Sequence, residues 1–100
     1  MIVYISIGNS DDQLTQADWA AFCIEVRSEA RALGHVHGSW YSPPDSPWQN
    51  ACWCLELAGH GDAGTSETLA ELRTVLSRIA RRYRQESIAL ARVAETEFVS

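Results

Sequence analysis

Two pairs of side chains with metal-binding or nucleophilic chemistry stand in the middle of the chain. His35 and His37 are separated by one residue, as are Cys52 and Cys54, and Glu56 and His60 follow close behind. Imidazole, thiolate and carboxylate are donors that suit zinc, so His35, His37, Cys52 and Cys54 form a candidate metal set. Their spacings, H-x-H and C-x-C, are not those of the familiar zinc knuckles. The primary expectation is therefore no metal and no cofactor, with surface histidines and small apolar cysteines in its place. A cysteine near a histidine also has the makings of a nucleophile with its base, and His37, Tyr41 and Glu56 could do acid–base work in a cavity. No G-x-S-x-G, H-E-x-x-H or glycine-rich phosphate loop ties any of these groups to a reaction.

The element that must position them is the stretch Gly34 to Ala58, GHVHGSWYSPPDSPWQNACWCLELA, which reads as two antiparallel strands joined by a proline-rich loop. Side chains alternate across a strand. The first arm thus divides into Val36, Gly38 and Trp40 on a core face and His35, His37, Ser39 and Tyr41 on an open one. In the second arm Ala51, Trp53, Leu55 and Leu57 share the core face, and Cys52, Cys54 and Glu56 the open one. Trp53 or Leu55 would then lie over Gly38. Pro43, Pro44 and Pro47 cannot continue a ladder, so the loop between the arms should project with Trp48 at its tip, as an anchor for a partner or folded back over the sheet.

Elements with clear local signals flank this hairpin. Ile2 to Ile7 alternate as a strand with Val3, Ile5 and Ile7 inward. Asp11 and Asp12 follow it, two carboxylates that could hold a divalent cation but read first as solvated residues before a helix. Thr15 and Asp18 form a capping box, and Leu14 and Trp19 a hydrophobic staple, for a helix carrying Phe22, Cys23, Val26, Ala30 and Leu33 on one stripe. Gly34 is expected to end it in a left-handed conformation. After a flexible linker over residues 59–64, a second helix from Thr65 or Ser66 buries Leu69, Leu72, Val75, Leu76, Ile79 and Tyr83. Arg78, Arg81, Arg82 and Arg84 crowd its end, where they favour the helix dipole and form a secondary basic patch able to grip phosphate or an acidic partner. Ser87 to Phe98 read as a last strand whose inward face the pattern leaves open. The order strand, helix, strand, strand, helix, strand predicts an α+β, ferredoxin-like βαββαβ two-layer sandwich, with four antiparallel strands and both helices on one face.

One hundred residues, 46% hydrophobic and 21% charged, make a single domain (1–100) with one core. The net charge of −5 argues against general nucleic-acid binding. All eight basic residues are arginine, which suggests a GC-rich coding bias. Without a secretory signal or a membrane-length apolar run, a cytoplasmic location and no membrane partner are expected. Three cysteines, two of them on one strand, are expected as free thiols.

The stretches YISIGNSDD, PWQNACWC, RRYRQESIALA and TEFV resemble small uncharacterised proteins of actinobacteria and their phages. That resemblance spans most of the chain and brings no activity with it. The task that the resemblance implies is to inhibit or modulate a host or defence protein.

An open face bearing Ile2, Tyr4, Tyr41, the two cysteines and Leu90 is too apolar to be left to water. The expectation is a non-enzymatic binding protein, homodimeric, that engages another protein through Tyr4, His35, His37, Tyr41, Trp48, Cys52, Cys54 and Glu56. Two alternatives stand beside it. One is a dimeric α/β-barrel-type enzyme or ligand carrier using His37, Tyr41 and Glu56; the other is a small-nucleotide sequestering protein using Trp48, Tyr41 and the arginines.

Overall fold

The computed structural model describes residues 1–9 and 13–100; Asp11 and Asp12, the candidate cation ligands, lie outside the described residues. Six elements follow in the expected order: β1 (Ile2–Gly8), α1 (Gln16–Leu33), β2 (Gly34–Tyr41), β3 (Asn50–Leu57), α2 (Gly61–Arg82) and β4 (Ala89–Arg92). They form one four-stranded antiparallel sheet, β2-β3-β1-β4, with the helices packed on one face. This is the ferredoxin-like α+β arrangement. Each helix carries the chain over a neighbouring strand, so the hairpin strand β3 slots in beside β1.

The helix-facing side is the core. Val3, Ile5 and Ile7 stand directly opposite Leu55, Trp53 and Ala51, and these meet Phe22, Val26 and Ala30 of α1 and Leu69, Leu72, Val75, Leu76 and Ile79 of α2. Trp53 is fully buried, and its indole N–H donates to Tyr41 Oη at 3.2 Å, so burial leaves no polar group unpaired. The helices join through Tyr83, which stacks on Phe22 with ring centres 4.9 Å apart and donates to Glu25 Oε2 at 2.7 Å. No helix among the described residues is long and apolar enough to cross a membrane.

The helix starts show where local chemistry suffices and where it does not. Thr15 caps α1, its Oγ1 accepting from the Asp18 N–H at 3.1 Å, while the Asp18 carboxylate turns to Arg84 at 3.8 Å. α2 begins at Gly61, four residues before Thr65, so most of the expected linker is helix. Thr65 and Thr68 bond back to the carbonyls of Gly61 and Gly64, and Asp62 sits in the first turn, where a carboxylate favours the dipole.

Four further expectations need correction. Gly34 is not left-handed: its φ of 172° and ψ of −159° are extended, and it opens β2 directly. The last strand is short, because β4 has partners on β1 only from Val3 to Ser6, with one more bond from Val93 N–H to Ile2 O. Its inward side chain is Leu90, opposite Ile5, so Leu90 belongs to the core side and not to the open face. Finally, β2 carries a bulge between Val36 and Gly38. One extra residue reverses the alternation beyond it, placing Trp40 on the open face and Tyr41 on the helix side.

Candidate functional site

The sheet face away from the helices is built from three cross-strand rows. His35 of β2 lies opposite Glu56 of β3, which lies opposite Ile2 of β1. The middle row is Gly38, Cys54, Tyr4 and Ala91; the third is Trp40, Cys52, Ser6 and Ala89. Paired residues share a face, so register alone brings these side chains together. The polar groups gather at one corner. His37, the bulge residue, turns to the same face, its Nε2 lying 2.8 Å from Glu56 Oε1 and its ring 4.6 Å from that of His35. That contact holds the Glu56 carboxyl below its ordinary range, since the hydrogen bond favours the ionised form.

Beyond this corner the face is aromatic and sulfur-bearing. Trp40 is 55% exposed and Tyr4 42%, with the half-buried Cys52 and Cys54 between their strands. Gly38 has no side chain to roof Cys54, and a Cβ there would meet nothing within 4 Å. Ser6 Oγ donates to Cys52 Sγ at 3.4 Å. The Tyr4 hydroxyl is held above its usual range, first by hydrogen bonding with Cys54 and then by electrostatic repulsion from that side chain. All three cysteines are free. Burial in the core pushes the Cys23 thiol up to about 11 against the opposing charge of Arg27, which removes it from nucleophilic work.

The candidate sets made from the sequence meet only in part. His35, His37 and Glu56 come together. Tyr41 does not join them, because the bulge sends it to the helix side, edge-on to Trp53 with centroids 5.8 Å apart; the acid–base trio His37, Tyr41 and Glu56 is split across the sheet. The four candidate zinc ligands do not converge, since the cysteines face Gly38 and Trp40 while the histidines face Glu56. Among the described residues no three His, Cys, Asp or Glu side chains form a metal-sized group. The arginine patch is also divided. Arg82 pairs with Glu25 and Arg84 with Asp18, while Arg81 reaches Ser77 Oγ at 3.3 Å.

No known protein family, curated protein or solved structure matches the chain. What the face can do follows from its own geometry.

Trp48 stands 65% exposed on a loop that is tied down around it. Its carbonyl accepts from Ser46 Oγ at 3.2 Å and Asn50 Nδ2 at 3.1 Å, and its N–H donates to Ser46 Oγ at 3.3 Å. Pro43 O accepts the Ser46 N–H at 2.9 Å, so the proline turn is closed as well. The next residue, Gln49, is an anchor that sequence reasoning missed. Its buried amide accepts from Asn9 Nδ2 and Gln16 Nε2, each at 3.1 Å, and donates to Gln16 Oε1 at 2.8 Å. Asn9 in turn bonds the N–H and carbonyl of Leu14. No spacing announces this network, because Gln49 meets Asn9 and Gln16 from more than thirty residues away. The bulge did leave a signal: a glycine inside a strand, beside His37, often marks one.

Proposed function

We propose that the chain is a small non-enzymatic binding protein whose open sheet face, led by Trp40 and Tyr4, buries against another protein while the Trp48 loop adds a second anchor. One observation carries this reading: two large aromatic side chains stand exposed on an uncovered sheet while the other side of the same sheet is filled by helices. Burying the exposed half of one tryptophan removes on the order of 100 Å² of apolar surface, worth about 2–3 kcal/mol, the range of an interface hot spot. The polar corner of His35, His37 and Glu56 then forms the rim.

The resemblance to proteins of actinobacteria and their phages makes a host or defence protein the natural partner. A second copy packed sheet to sheet would cover the same face, since an exposed apolar patch on one copy meets its own like across a twofold axis. The test is a native mass spectrum of the untagged protein purified from the cells that make it. A complex of stated mass should appear, weaken at least tenfold with Trp40→Ala and with Trp48→Ala, and survive His37→Ala. Equal capture by both tryptophan variants would overturn the reading, and a doubled chain mass sensitive to Trp40→Ala would name the second copy as the occupant.

A further inference from the structure

The cleft between α2 and the outer edge of β4 carries charge that the fold does not use. It encloses about 290 Å³ over a floor that includes Leu76, Ile88 and Leu90. Arg73, Ser77 and Arg81 line it at intervals of four residues, which places them on one stripe of α2. Among the described residues Arg73 has no ion pair, and the Arg81 side chain has no ion pair and one hydrogen bond, to Ser77. Glu86 is the one carboxylate in the lining. β4 is hydrogen-bonded to β1 alone, so its other edge presents unpaired backbone groups beside this cleft.

The chain also carries a segment of matching chemistry. Residues 94–100 read AETEFVS and make no secondary structure; Phe98 is 93% exposed and Val99 86%. In an extended conformation Glu95, Glu97 and Val99 fall on one side, two carboxylates followed by an apolar group. That is the complement of two arginines over an apolar floor. The segment leaves the sheet at Val93, which bonds to Ile2 at the start of β1, whereas the cleft is walled by residues 85–88 before β4. Reaching its own cleft would require a tight reversal between Val93 and Thr96, where there is no Gly, Asn, Asp or Pro to make one.

We propose that residues 94–100 of one copy lie along the free edge of β4 and in the α2 cleft of a second copy, with Glu95 and Glu97 on Arg73 and Arg81 and Val99 against the apolar part of the cleft beyond them. The exchange is reciprocal in a twofold dimer, and main-chain bonds to β4 add to the paired charges. This surface is separate from the open sheet face.

Charge exchange tests it on the full chain. The parent should sediment as a concentration-dependent dimer. One double variant, Glu95→Arg with Glu97→Arg, and another, Arg73→Glu with Arg81→Glu, should each lose the dimer at concentrations where the parent forms it. Mixed in equal amounts they should regain it, since each segment then meets a cleft of opposite charge. Circular dichroism checks that both variants keep the fold. A parent that stays monomeric, a dimer that persists in both variants alone, or a mixture that remains monomeric would each overturn the proposal; persistence would assign association to another surface.

Discussion

Gly34 gives a sharp test of how the open face is held in register. A Cβ at this position would lie 2.1 Å from Glu56 O and 3.0 Å from both Glu56 C and Leu55 Cδ1. Comfortable contact is about 3.5 Å, so Gly34→Ala asks for a displacement of about 1.4 Å, the difference between that and the 2.1 Å available. The obstructing oxygen is backbone within the β2–β3 ladder and cannot rotate away. Relief requires β2 to lift from β3 at Gly34–Leu57 and His35–Glu56, the first pairs of the ladder. Losing one or two hydrogen bonds at ~1 kcal/mol each, on top of ~1–3 kcal/mol for overpacking, gives a loss of about 3 kcal/mol. For a domain of this size that lowers Tm by on the order of 15 °C. Urea unfolding followed by tryptophan fluorescence measures it. Gly34→Asn separates this cause from a left-handed helix cap, because asparagine tolerates that conformation yet has the same Cβ. Gly38→Ala is the control, since a Cβ there meets nothing within 4 Å, and should leave stability within ~0.5 kcal/mol. A Gly34→Ala protein within ~1 kcal/mol of the parent, or full rescue by asparagine, would refute the steric argument.

Two further outcomes follow from single residues. Arg84 holds φ at 55° after α2, with its N–H on Arg81 O and that of Gln85 on Ala80 O, a left-handed cap in which a Cβ is costly. Arg84→Gly should therefore raise stability by about 1 kcal/mol despite losing the exposed 3.8 Å pair with Asp18, and a lowered urea midpoint would contradict this. Glu56, held below its ordinary 4.5 by His37, should titrate below that value in NMR spectra and return toward it in His37→Ala. A depressed carboxyl pKa stabilises the fold above the unfolded value and ceases to do so as pH falls through the folded one, so the His37 contribution should vanish on acidification; identical midpoints in parent and variant would exclude it.

Much of the frame was legible because its signals are local. Val3, Ile5 and Ile7 alternate, Thr15 caps, and the α2 stripe from Leu69 to Ile79 repeats at helical spacing. These properties depend on residues a few positions apart, and the element order they imply leaves few ways to close a sheet. The parts of the face that went unread depend on partners far away. His37 adds a residue to β2 only in relation to β3, and the parity beyond it, hence the exchange of Trp40 for Tyr41 on the open face, follows from that pairing.

By itself, then, the sequence determined the element types and most of the core, since hydrophobic period and residue chemistry travel with the chain. Only the tertiary structure decided which side of the sheet Trp40, Tyr41 and Leu90 occupy, where Gln49 ties the Trp48 loop, and which arginines remain unpaired. Each of these is set by strand register or by contact between distant segments, and a shift of one residue turns a side chain from the core to the surface.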